Sequence, residues 1–204
     1  MPPRSPSRPS PGARSARSRE RAPPPPLDPA ALERLALRYV ERFATTRGRL
    51  ADYLRRKLRE RGWREGEAAA DPEALAGRMA DLGYVDDRAY AEGKAAAMAR
   101  RGLGARRVAA TLRAARLGTD DLDAIAPDVA DRAIEAALTL ARRRRIGPFA
   151  QTAADRPLRE RQLAAMIRAG HGFALARRIV DAAPGVSFED DGGGTDGCDD
   201  DEPC

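Results

Sequence analysis

Leu54-Arg55-Arg56-Lys57-Leu58-Arg59 runs on to a break at Gly62-Trp63, and the same pattern returns twice. Val108-Ala109-Ala110-Thr111-Leu112-Arg113 ends at Leu117-Gly118, and Leu163-Ala164-Ala165-Met166-Ile167-Arg168 ends at Gly172-Phe173. Each stretch sets an apolar pair at i and i+4, the spacing of one helical face, before a bulky apolar residue across a break. The copies lie 54 and then 55 residues apart, the third being one residue longer at its end. Leu pairs at i, i+4 occur in most amphipathic helices, but here spacing, direction and flanking helices agree. Self-similarity of this period marks stacked units that bury their faces partly against one another. The reading is an all-α fold: an elongated stack of three tandem three-helix repeats.

Working outward from those stretches divides the chain. Asp28-Pro29 pairs an N-cap acid with a proline at the first helical position. Leu32, Leu35, Ala36, Tyr39, Val40 and Phe43 follow at helical spacing. Gly48 marks a break or a new start, and Leu50, Leu54 and Leu58 form the next stripe, ended by Gly62. Asp71-Pro72 opens a third helix with Leu75, Met79 and Leu82 on its buried face, stopped by Gly83. Asp86 and Asp87 then cap a helix carrying Tyr90, Ala91, Lys94 and Met98. Val108 and Leu112 lie on the next, which stops at Gly118. Thr119 caps Leu122 and Ile125, and Pro127 opens a further segment. Val129, Ile134, Ala137, Leu138 and Ala141 make a long helix closing on Arg142 to Arg145. Residues 147–157 are a loop before a last pair, Leu158 through Ile167 and Phe173 through Val180. The expected repeats are therefore 27–83, 84–127 and 128–183. They are flanked by a disordered Pro/Arg-rich arm, 1–26, and a disordered acidic tail, 184–204, each too poor in apolar residues to fold.

Composition supports this reading. Val, Ile and Thr number 18 among 204 residues, too few to supply a sizeable sheet. Aromatic residues make up 4%, so many small contacts replace one thick core. The net charge of +6 divides into about +5 on the arm, −8 on the tail and +9 between them. Basic stretches attract phosphate backbones or acidic proteins. Of 37 basic residues 35 are Arg, which compositional bias alone would also give. The only cysteines, Cys198 and Cys204, sit in the tail, so the fold needs no disulfide. No 18-residue apolar run and no apolar secretory stretch exists, which makes the cytoplasm the expected location.

Catalytic and cofactor chemistry has no foothold. Lys57 and Lys94 are followed by Leu58 and Ala95, not by the Ser or Thr of a phosphate loop. One histidine, His171, lies between Gly170 and Gly172 and reads as a turn residue. No metal site is expected. Asp86-Asp87 reads as an N-cap and its first-turn dipole partner, with Tyr84 and Tyr90 as rings that staple the helix start. Three basic clusters remain as candidate contacts: Arg55, Arg56, Lys57 and Arg59; Arg100, Arg101, Arg106 and Arg107; and Arg142, Arg143, Arg144 and Arg145. Aromatics do not interleave with them in sequence, which speaks against a base-stacking surface. Short helices joined by glycine turns are also the material of helix-turn-helix readers, so a stand-alone helical DNA-binding regulator is the second class considered.

Leu82-Gly83-Tyr84-Val85-Asp86-Asp87-Arg88-Ala89-Tyr90-Ala91, with Arg101-Gly102 and Arg106 beyond it, resembles the middle module of RecX-type recombination regulators. Ala36-Leu37-Arg38-Tyr39, Leu50 to Leu58 and Gly62-Trp63 resemble that family's first module, and residues 158–182 its last. The arm and tail lie outside the pattern, and Phe43-Ala44-Thr45-Thr46-Arg47 stands where many members have a shorter basic turn. The resemblance implies a curved repeat stack lying in the groove of the RecA filament on single-stranded DNA. It further implies a monomeric non-enzyme without a cofactor that limits filament growth, lowers strand exchange and co-protease activity, and so acts on recombination, repair and the SOS response.

Overall fold

The computed structural model describes residues 25–188, and among these the chain is helical with no strand. The cysteines, nearly all of the basic arm and all of the tail after residue 188 lie outside the described residues. Nine α-helices follow in order: α1 Pro29–Val40, α2 Arg47–Arg61, α3 Pro72–Asp81, α4 Asp87–Arg100, α5 Ala105–Ala114, α6 Thr119–Asp131, α7 Ala133–Arg144, α8 Arg156–Arg168 and α9 Phe173–Asp181. A 3-10 turn, Gly147–Phe149, separates α7 from α8.

The helix starts follow from local chemistry. Asp28, Asp71, Asp86 and Asp155 accept from backbone N–H groups three residues on, at 2.7 to 2.9 Å, meeting donors that a helix start leaves unpaired. Thr46 does the same for α2 through Arg49 N at 3.2 Å. Of the two readings of Gly48 the new start holds: it lies in the first turn of α2. Thr119 is likewise the first residue of α6, with Gly118 as its N-cap and no side-chain capping bond.

Three buried clusters arise from consecutive helix triplets. Leu27, Leu32, Leu50, Leu54, Leu75, Met79 and Val85 anchor the first. Ala91, Met98, Val108, Leu112, Leu117 and Ile125 anchor the second, and Leu140, Ile146, Met166 and Ile179 the third. Each fully buried Leu or Ile contributes roughly 1.5–3 kcal/mol. Leu27 also ties the chain start to the end of α2, donating to Gly62 O at 3.0 Å and accepting from Arg64 N at 2.9 Å.

Several sequence expectations are corrected. Leu82 is 66% exposed, because α3 ends at Asp81 and Val85 turns into the core after Gly83. Pro127 lies inside α6; its missing N–H leaves one helical bond unmade. The helix nevertheless continues, since Ile125 and Val129, one turn apart, both pack on the second cluster. Val129 thus belongs to α6 and not to the helix that follows. The register also shifts. Thr46 and Gly104 are the N-caps of α2 and α5, which puts Leu54 opposite Leu112, 58 residues apart. Ala115 and Ala169 are the C-caps of α5 and α8, which puts Leu112 opposite Met166, 54 apart. Leu163 and Ile167 are only partly buried, and Met166 is the fully buried residue of α8. α2 is longer than α5 at its end and α8 longer at its start, and the apolar spacing alone could not show this.

The triplets meet through matching positions. Thr46 Oγ1 donates to Ala115 O, and Gly104 N donates to Ala169 O at 3.0 Å. In each joint the N-cap of a middle helix docks on the C-cap carbonyl of the next middle helix. The residue after each carbonyl is left-handed, Arg116 at φ 61° and Gly170 at φ 97°.

Candidate binding surface

The family-like stretch 82–91 is a socket. Asp87 is 8% exposed; its Oδ1 accepts from Arg47 N at 2.8 Å and its Oδ2 from Arg47 Nε at 2.9 Å. Arg47 Nη2 reaches Asp121 at 3.3 Å, and the Asp87 hydrogen bond chiefly raises the Arg47 pKa above its ordinary value. Tyr90 accepts from Arg49 Nη1 at 2.7 Å, with that guanidinium 5.7 Å from its ring centre. Asp86 is the N-cap. Tyr84 is 53% exposed, so Val85 is the buried residue before the cap, and no Tyr84 staple forms. Arg116 completes the joint through Asp52 at 3.0 Å. Arg49 and Arg116 were not singled out in the sequence, and Thr46 and Arg47 were noted only as part of a turn unlike the family's; the capping signal of Thr46 before α2 was the one available clue to the joint. A cleft of about 450 Å³ at this joint is lined by Arg47, Arg55 and Arg116, but also by Asp52, Glu73 and Asp87. Its charges are internally answered.

The basic clusters differ from one another. On α2, Arg55 pairs with Asp52 at 2.6 Å and with Glu73, while Arg56 and Lys57 both face Glu60 at 3.6 and 2.5 Å. The hydrogen bond from Lys57 is the main reason that Glu60 titrates below its ordinary range. Arg59 is exposed without a carboxylate partner among the described residues. By contrast Arg100, Arg101, Arg106, Arg107 and Arg142 to Arg145 are all exposed, and none has a carboxylate partner among the described residues. Arg143 Nη1 donates to Arg101 O at 3.1 Å, which brings the last cluster onto the middle one. Arg142 lies 4.8 Å from the centre of the Phe149 ring.

Helix fields separate their roles. Arg100 and Arg142 to Arg144 end helices, where cations are favoured. Arg106 and Arg107 occupy the first turn of α5, where the helix field disfavours a cation. Those two charges do not serve their own helix. One ring does accompany the α2 cations: Arg56 and Lys57 lie 5.4 and 5.9 Å from the Tyr53 ring centre.

These features define an Arg-rich helical protein that displays cations without carboxylate partners on its surface. Among the described residues no group of His, Cys, Asp and Glu is placed to hold a metal, and no helix is long and apolar enough to cross a membrane. No family model matches the chain. The chain is 34% identical over 180 residues to a protein of Myxococcus xanthus named "Regulatory protein RecX", a match covering 82% of this chain and 95% of that one. The chain belongs to the RecX family of regulatory proteins.

Proposed function

We propose that this protein binds the RecA recombinase filament on single-stranded DNA and inhibits its growth and activities in recombination and repair, as a monomer in the cytoplasm. It acts by occupancy, not catalysis. The three helix triplets serve as stacked repeats of an elongated, curved body, divided near residue 83 and at the end of α6, near residue 131, in place of the 127/128 boundary expected from the sequence. The observation that carries this reading is the set of eight exposed arginines without carboxylate partners, Arg100, Arg101, Arg106, Arg107 and Arg142 to Arg145, joined by the Arg143–Arg101 contact. A nucleoprotein groove offers phosphates and acidic side chains along its length. Single exposed cations contribute little, but several on one rigid body add, each phosphate contact steepening the salt dependence.

The test is inhibition of preformed filaments at two salt concentrations. Arg100, Arg101, Arg106 and Arg107 changed together to Glu should abolish inhibition with helicity and melting intact. Reversal of Arg142 to Arg145 should weaken it less, since those charges also serve a helix end. A middle-cluster variant that inhibits like the parent at both salts would show the reading to be wrong.

A further inference from the structure

The first triplet carries a second surface that the arginine clusters do not explain. Tyr39 near the end of α1 stacks on Tyr53 of α2, their centres 4.3 Å apart and their planes at 22°. Phe43, in the turn beyond α1, extends the row, 5.2 Å from Tyr39 and 52% exposed. Three of the chain's eight Tyr and Phe residues thus form one ledge in a chain otherwise poor in rings. Arg42 lies 5.9 Å from the Phe43 centre, with Arg56 and Lys57 over Tyr53. The ledge walls an open cleft of about 750 Å³, whose lining adds Arg38, Arg42 and Arg56 against one carboxylate, Glu41. Neither Arg38 nor Arg42 has a carboxylate partner among the described residues.

Tyr39 and Tyr53 pack partly against the first cluster, but core packing does not account for Phe43. A buried aromatic row would be covered, yet Phe43 leaves half its surface in water, and a cation stands over each end of the row. The exposed face of Phe43, flanked by Arg38 and Arg42 without carboxylate partners among the described residues, suits a ligand that is flat and apolar in one part and anionic in the next. Unpaired nucleotides have that composition: bases stack on aromatic faces while cations follow the phosphates. Duplex DNA keeps its bases stacked on each other and offers the ledge only backbone.

We propose that Tyr39, Phe43 and Tyr53, with Arg38 and Arg42, form a base-stacking site for single-stranded DNA. The site goes beyond the filament reading, since it requires no recombinase. Phe43 is the outermost ring and receives the base, Arg42 holds it from the side, and Arg38 neutralises the neighbouring phosphate.

The experiment uses the full chain without recombinase, and fluorescence anisotropy with a labelled oligo-dT strand and an abasic strand of equal length. The parent should bind oligo-dT more tightly than the abasic strand. Phe43→Ala should weaken oligo-dT binding by about five- to a hundredfold, the range for losing one base–aromatic stack, and leave the abasic strand unaffected. Phe43→Leu, which keeps an apolar side chain but no π-face, should match Phe43→Ala. Phe43→Trp should retain binding, and oligo-dT should quench its added emission where the abasic strand does not. Arg106→Glu with Arg107→Glu should instead weaken both strands alike, so failure here is distinguishable from failure of the filament reading. Equal binding of the two strands by the parent, or unchanged oligo-dT binding by Phe43→Ala and Phe43→Leu, would overturn the site.

Discussion

Asp87 is held by two atoms of the same residue, the backbone N–H and the guanidinium of Arg47, and its burial makes those bonds costly to lose. Asp87→Ala strands a backbone donor and a cation together, and is expected to lower stability by about 2 kcal/mol. Arg47→Ala should cost less, because its side chain is 51% exposed and solvent screens the pair. Urea unfolding of both variants checks the order. His171 makes a different prediction. It is 2% exposed, with Nε2 donating to Gly102 O at 3.1 Å, and burial pulls its pKa below the ordinary 6.5. The folded protein then binds fewer protons than the unfolded chain once pH falls below about 6.5. Stability contributed by the neutral ring is present above that value and lost as pH drops toward the lowered folded value. Melting temperatures should therefore fall on acidification, and His171→Leu should flatten that part of the profile. Leu suits the place, since Leu117 occupies the matching position after α5. The sequence placed His171 correctly in a turn, but its burial depends on Gly102, 69 residues away, and no local pattern carries that contact.

At the scale of elements, the joints explain two glycines, of which Gly48, inside the first turn of α2, is one that helix propensity would reject. A Cβ on Gly48 would lie 2.4 Å from the Arg116 Cβ and 2.6 Å from the Arg116 carbonyl oxygen. A Cβ on Gly104 would lie 2.4 Å from the Gly170 carbonyl carbon. Alanine normally stabilises a helix interior by roughly 1 kcal/mol over glycine. At Gly48 the sign should reverse, with a net loss of roughly 1–3 kcal/mol from overpacking, measurable by denaturant midpoint. Which features were legible in sequence follows the same division. Caps at Asp28, Asp71 and Asp86, the Leu50–Leu54 stripe and the helical class depend on neighbours in the chain, and the residues carried them openly. Pro127 misled because two core contacts one turn apart outweigh one missing hydrogen bond. The spacing of the similar stretches misled because α2 and α8 are lengthened at opposite ends, so apolar pairs matched while caps did not. The ledge of Tyr39, Phe43 and Tyr53 was hidden because its rings come from separate elements: the cations lie beside Phe43 and Tyr53 in the chain, but no local pattern brings Tyr53 onto Tyr39.

The whole molecule presents its charge unevenly: the α2 cluster is largely answered by Asp52, Glu60 and Glu73, while the middle and last clusters are left open. A body that offers several cations to one partner gains from rigidity, since each flexible joint would have to be ordered on binding. Both joints are built for it. The first combines the Thr46 bond with the Arg47–Asp87 and Arg116–Asp52 pairs, and the second uses backbone bonds from Gly104 and Arg106 to Ala169 and Gly170. Each triplet also closes its own cluster, and the proposed stack adds these units along a line without a shared centre. An extended particle is the expected consequence. For residues 25–188 a compact single domain would have a radius of gyration of about 15 Å. Small-angle scattering on that segment should give a value several ångströms larger, with a distance distribution skewed to long separations. Gly48→Ala, which pries α2 from Arg116, should broaden the long-distance end while leaving helicity in place. A parent value matching the compact sphere would mean that the triplets fold back on one another, and the aligned basic surface would then lose its geometric basis.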